Sequence, residues 1–230
     1  VMQSNSDNAN YHYAKNPLEV MWNSYGDTRA AADITAYMNG FKDPRVEKYL
    51  QPMKFASKES PYQGNRSGSN IANLEDAQKY SSPKVATTDP VLWMAVSEVT
   101  FCKAEGALLG WNMGGTAKEL YELAIRQSFE QWGASGADDY LNNSELTQAD
   151  YVDPAGANSI SAVSNITIKW DDAADMTVKM ERLITQKWIA LWPLGTEAWS
   201  EKRRRGFPKY FPRGTPNLPE VSKRRPFAPE

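Results

Sequence analysis

The turn Gly114-Gly115-Thr116 separates two apolar stripes of helical period, and this short separation constrains the chain's fold more than any other feature. On the N-terminal side Leu92, Val96, Val99, Cys102, Gly106 and Leu109 recur at steps of three and four, the repeat of one helical face. Asp89-Pro90 ahead of them offers a cap and a first turn. On the C-terminal side Ala117, Leu120, Tyr121, Ala124, Ile125, Ser128, Phe129 and Trp132 line one face until Gly133 ends it. Two helices joined by so short a turn must run antiparallel, which predicts a helix pair over 90–132. Ala104, Gly106 and Ala107 are small enough to let the second helix approach closely, as in tetratricopeptide-type pairs. No second copy at that period is visible, so the sequence shows no repeat array.

A further apolar face, Met176, Met180, Leu183, Ile184, Trp188 and Leu191, predicts a helix over about 174–191 that Pro193 and Gly195 stop. The following GTEAWSEKRRRGFP reads as a shorter amphipathic helix with Trp199 inward and Lys202 to Arg205 on a solvated face, which completes C-terminal helices over 174–205. TRAAADITAYM (28–38) ends at Asn39-Gly40, a helix stop, and RVEKYL follows Asp43-Pro44, so residues 28–50 read as short helices. Pro52, Pro61, Gly64, Gly68, Pro83 and Pro90 punctuate a loop-rich excursion over 51–89, with one short strand pair expected at most. Loops longer than about 12–15 residues are often functional, which makes this excursion the first place to seek a binding surface. The fold class is therefore mainly α, helix pairs carrying long irregular loops.

Composition narrows the function. In 230 residues, 41% of them apolar, there is enough material for one large domain or two small ones. A net charge of −2 supplies no general field for nucleic acid, and none is expected as a partner. The apolar stretch from Ala95 to Trp111 is broken by Glu98, Lys103 and Glu105, too short for a membrane span. One histidine, His12, and one cysteine, Cys102, disfavour His-rich metal sites, His-based catalysis and an internal disulfide; no cofactor or metal is expected. Cys102, on the apolar stripe, reads as a buried structural residue. The polar opening VMQSNSDNANYHY has no signal architecture and RRPFAPE has no closing element, so the chain reads as a piece of a longer protein.

No phosphate loop or nucleophile elbow occurs. Asp138-Asp139 and Asp171-Asp172 are the paired carboxylates, but adjacent residues point apart, and a glycosidase needs two carboxyls about 5–10 Å apart across a cleft. Asp138-Asp139 reads as a helix N-terminus leading into YLNN. Aromatic residues are the one excess. Trp93, Phe101, Trp111, Tyr121, Phe129, Trp132, Trp188, Trp192 and Trp199 lie in or beside helical stripes and read as core. Tyr11, Tyr13, Trp22, Tyr25 and Tyr62 stand instead in polar contexts, where flat rings flanked by amides and Arg suit the C–H faces and hydroxyls of sugars. The candidate ligand contacts are Trp22 and Tyr25, expected to present rings to one side of a turn, and Tyr62 with Asn65 and Arg66 on the excursion.

The run from Trp93, WMAVSEVTFCKAEGALLGWNMGGTAKELYELAIRQSFEQWG, resembles the SusD/RagB family of outer-membrane glycan-binding lipoproteins. So do KWDDAADMTVKMERLITQKWIALWPLGTEAWSEKRRRGFPKYFP, the "MNG, DPR" element within ITAYMNGFKDPRVEKYL, and the closing SKRRPFAPE, all in the family's order. Arg205 stands where a Thr is expected, and the loop between Tyr62 and Ser82 matches loosely. The resemblance implies a tetratricopeptide-like scaffold whose loops bind oligosaccharide without catalysis. It also implies surface exposure at the outer membrane through an N-terminal lipid anchor, and a SusC-like TonB-dependent transporter as partner. It makes residues 1–230 the C-terminal portion of one SusD-like domain. A protein-binding tetratricopeptide-type scaffold is the alternative, and a polysaccharide-cleaving enzyme a distant third.

Overall fold

The computed structural model describes residues 2–26, 28–56 and 60–214. The run SKRRPFAPE lies outside them. Strand β1 (Ala9–Tyr11) is followed by helix α1 (Pro17–Glu19), which runs into a π-helical turn (Val20–Ser24). Helices α2 (Ala32–Gly40) and α3 (Val46–Tyr49) come next, and α4 (Leu74–Ala77) is the one helix among the excursion's described residues. Strand β2 (Val91–Met94) then precedes α5 (Val96–Leu108), α6 (Ala117–Gln131), α7 (Ala137–Leu141), α8 (Met176–Ala190) and α9 (Gly195–Arg205). The architecture is mainly helical. Among the described residues no helix is long and apolar enough to cross a membrane.

Among the described elements the most extensive packing is between α5 and α6, and α8 lies against both. Phe101, Ala104, Tyr121, Ile125, Phe129, Leu183, Ile184 and Trp188 meet there in one core that also takes Tyr37, Met38 and Phe41 from α2 and the residue that follows it. Helix α6 starts on a capping box, Thr116 with Glu119, and α8 on the Asp175 carboxylate, which accepts from Val178 N at 2.8 Å. Each cap satisfies amides that the first turn leaves unpaired.

Several sequence expectations are corrected here. Residues 91–94 are strand and α5 starts only at Val96, because these residues pair with β1 far upstream. The buried face of α5 is Val96, Ser97, Thr100, Phe101, Ala104, Glu105 and Gly106, while Cys102 is exposed, its thiol 3.3 Å from Lys187 Nζ. Polar Thr100 and Glu105 turn inward because Val96 O and two arginines partner them. Gly106 makes room for Met113 and Trp111 of the turn, not for the backbone of α6. Residues 28–31 are extended before α2, and Gly40 belongs to that helix: a Cβ there would collide with the backbone of Thr147–Ala149.

In the Asp43-Pro44-Arg45 turn between α2 and α3, Asp43 and Arg45 are fully buried. Arg45 donates to Asp43 through Nε at 2.9 Å and Nη2 at 2.5 Å, and to Ser128 Oγ of α6 at 2.9 Å. Its guanidinium lies 4.7 Å from the Phe129 ring centre. Tyr140 Oη of α7 donates to Asp43 at 3.0 Å, and Gln186 Nε2 of α8 donates to Tyr140 Oη at 2.9 Å.

The basic run of α9, with Arg203 and Arg204 exposed, is also paired. Arg204 grips Glu105 of α5 in a bidentate pair, Arg205 Nε adds a bond at 2.6 Å, and Arg203 lies 4.2 Å over Trp199. Burial raises the Glu105 carboxyl, but the two arginines overcome it and hold the group below its ordinary range. Beyond α9, the chain to Gly214 is held by Tyr37 Oη on Lys209 O (3.0 Å) and by Asp33, which accepts from Phe211 N at 2.7 Å. Burial pushes the Asp33 carboxyl up to about 6, against the opposing pull of that amide.

Two outcomes follow. Asp43→Ala leaves Arg45 buried and uncompensated, so it should lower the free energy of unfolding by about 3–5 kcal/mol in denaturant titration. Asp33 has a folded-state pKa above its unfolded value, so its ionisation destabilises the fold as pH rises from about 4 through 6. Asp33→Asn keeps an oxygen for Phe211 N and removes that cost. At neutral pH the variant should match or exceed the parent by up to about 3 kcal/mol, an advantage that disappears toward pH 4.

Candidate functional site

Strands β1 and β2 form an antiparallel ribbon, Asn10 opposite Leu92 and Tyr11 opposite Val91, with an irregularity between Ala9 and Asn10. Period-2 alternation places Asn10 and Leu92 on one face and Tyr11 and Trp93 on the other. The outer face is a ring platform. Trp93 stacks on Tyr11 with centroids 5.6 Å apart and planes at 13°, and Tyr13 tilts against Tyr11 at 4.5 Å. All three rings are exposed, Trp93 at 60%. The ribbon is fixed to the helix pair by two asparagines. Asn8 Oδ1 accepts from Val96 N, the first amide of α5, at 2.7 Å. Asn5 Nδ2 donates to Gln127 O of α6 at 3.0 Å and to the Glu130 carboxylate at 2.9 Å. Uncharged, exposed, mutually stacked rings are suited to the C–H face of a pyranose.

The residues singled out from sequence are dispersed. Trp22 is 8% exposed in the π-helical turn, its ring 6.1 Å from that of Trp192, while Tyr25 is 73% exposed. The wide turn, closed by Tyr25 N on Val20 O at 3.1 Å, sends one ring in and the other out, so they share no face. Tyr62 is half-buried against the main core, and its carbonyl accepts from Asn39 Nδ2 at 2.8 Å. Asn65 bridges to Ala31 through its backbone: its N–H donates to Ala30 O and its carbonyl accepts from Ala32 N, both at 2.9 Å. Arg66 clasps the carbonyls of Asn158, Pro212 and Arg213. These contacts tie the excursion and the 207–214 segment to α2.

Tyr11 and Tyr13 stood out in the sequence as rings without a helical stripe, but Trp93 was assigned to one. The available signal was the alternation in VLWM after Asp89-Pro90, masked by the fit of Leu92 to the helical period. Trp111 is likewise exposed, at the α5–α6 turn. The paired carboxylates serve the fold. Asp138 and Asp139 open α7, with Asp138 on Arg126 at 2.9 Å, Asp171 accepts from Ala173 N and Asp172 from Trp170 Nε1.

Solved structures resemble the chain closely. A SusD homologue of Bacteroides thetaiotaomicron is 44% identical with a TM-score of 0.91, over 97% of this chain and 48% of that one. A SusD homologue of Bacteroides uniformis is 44% identical with a TM-score of 0.87, over 93% of this chain and 46% of that one. A chitin-binding SusD homologue of Flavobacterium johnsoniae is 43% identical with a TM-score of 0.87, over 92% and 44%. The chain thus spans slightly less than half the length of these relatives. No curated protein matches it. The family model for SusD and RagB outer membrane lipoproteins matches residues 1–224, nearly the whole sequence. The chain belongs to this SusD-like family of outer membrane lipoproteins.

Proposed function

We propose that the chain is part of a non-catalytic, surface-exposed glycan-binding lipoprotein of the outer membrane that captures oligosaccharide and hands it to a SusC-like TonB-dependent transporter. The observation that carries the binding role is the Tyr11–Tyr13–Trp93 platform, three uncharged rings exposed together on a ribbon anchored to the helix pair. Family membership and the chitin-binding relative support a saccharide as the ligand. Tyr25 adds a further exposed ring, and Trp22 acts from within. Tyr62, Asn65 and Arg66 support the surface by holding the excursion in place. The lipid anchor and the transporter contact are assigned from the family alone.

Affinity electrophoresis of the full-length protein against a panel of plant, host and microbial polysaccharides tests this reading. Trp93→Ala and Tyr11→Ala should each weaken retention of the bound glycan by roughly two- to tenfold, the worth of about 0.5–1.5 kcal/mol for one stacked ring. Both variants should unfold like the parent because the rings are exposed. Trp111→Ala, which removes an equally exposed ring elsewhere, should leave retention unchanged. Full retention by both platform variants would move the site off the ribbon. The purified protein should also release no reducing ends from any polysaccharide that it retains.

A further inference from the structure

On the ribbon's inner face lies a cleft of about 540 Å³, within the size range of small-molecule sites. Asn10 and Leu92 form its ribbon side, Trp22, Trp132 and Trp192 line it, and Gln131 stands where α6 ends. Its other asparagines are already committed. Asn16 Nδ2 holds Asp89 O at 2.8 Å while its Oδ1 takes Leu18 N at 2.8 Å, and Asn5 and Asn8 anchor the ribbon. The charged groups are also engaged: Lys84 with Glu47 O, Asp89 with Ala86 N and Glu130 with Asn5. Each charged side chain of the lining thus already holds a hydrogen bond within the protein.

Two polar atoms at successive positions of this lining are left over. Trp132 Nε1, a donor, and Gln131 Oε1, an acceptor, are buried and have no hydrogen-bond partner among the described residues. A buried polar group without a partner is costly, so a ligand that partners both gains what the free protein lacks. Trp132 is held edge-on to Tyr49 at 4.7 Å, and Tyr49 stacks on Trp192 at 5.6 Å and 11°, so the donor sits in a rigid aromatic wall. The complementary group is neutral, with one carbonyl, one N–H and a small apolar end. An acetamido group has all three.

We propose that this cleft is a second saccharide subsite that selects a neutral 2-acetamido sugar. The acetamido carbonyl accepts from Trp132 Nε1, its N–H donates to Gln131 Oε1, and its methyl lies on the apolar wall. The proposal rests on the reading of the chain as a saccharide binder and adds to it the class of sugar.

The test is calorimetric titration of the full-length protein with N,N′-diacetylchitobiose and with cellobiose, which has hydroxyls in place of the acetamido groups. The parent should bind the acetylated disaccharide at least tenfold more tightly. Trp132→Phe, which keeps an aromatic ring and removes the N–H, and Gln131→Leu should each bring that ratio close to one while cellobiose affinity is retained. Trp93→Ala should weaken both sugars alike and preserve the ratio. Equal binding of the two disaccharides by the parent overturns the subsite, as does a ratio that survives in both folded cleft variants, and either result leaves the platform standing. Failure to bind these disaccharides or any polysaccharide of the panel overturns the saccharide reading and the subsite with it.

Discussion

The buried Asp43–Arg45 pair sets the geometry on which the other helices depend. Removing two charges from water costs several kcal/mol per ion, which the mutual attraction offsets only when the remaining donors and acceptors are also satisfied. Here the partners come from separate elements: Ser128 and the Phe129 ring from α6, Tyr140 from α7 and Gln186 from α8. Satisfying all of them at once admits one register of these helices. A slip of α6 by one residue would carry Ser128 away from the guanidinium and leave a donor unpaired in the core. Pro44, with its fixed φ, holds the two charged residues close together in the turn.

A second set of ions acts at the periphery in the same way. Glu105 faces inward from α5 only because Arg204 and Arg205 reach it from α9, and Lys187 of α8 meets Glu201 of α9 at 2.6 Å. Helix α9 buries no residue fully, so charge pairing and partial ring contacts hold it. Its packing differs in kind from that of α8, which buries Leu183, Ile184 and Trp188 in the core together with the polar Gln186 and Lys187. The segment after α9 is drawn back across α2 by Asp33, Tyr37 and Arg66. The excursion that Arg66 belongs to therefore has a structural duty, to which the Arg66 side chain is committed.

Helices α6 and α8 were legible because burial on one side imposes a period of 3.6, and their caps and stops are local. What was not legible depends on partners remote in sequence. Leu92 fits the helical stripe by spacing, yet Asn10, more than eighty positions earlier, makes it part of a strand. The Cys102 side chain points to Lys187 and solvent, which the apolar neighbours of its own helix do not reveal. The basic run of α9 is indistinguishable from a solvated face until Glu105 is placed beside it. Trp22 and Tyr25 failed as a pair for a local reason, since a π turn rotates residues three apart differently from an α turn. The SusD-like resemblance rested on long ordered stretches and so did not depend on any of these points.

The ribbon concentrates what the helices cannot offer. A helix that buries one face displays rings singly and at an angle to one another. A bulged antiparallel pair instead sets Tyr11 and Trp93 side by side on one face and Asn10 and Leu92 on the other. Stacked on each other, the outer rings lose rotamer freedom before any ligand arrives, so less ordering remains for binding to impose. Two strands alone are marginal in water. The pair persists because Asn8 caps α5 and Asn5 grips α6, which transfers the rigidity of the α5–α6 packing to the ribbon. The ribbon's outer face is thereby positioned, through β2 and α5, by the same core that Arg45 and Asp43 organise.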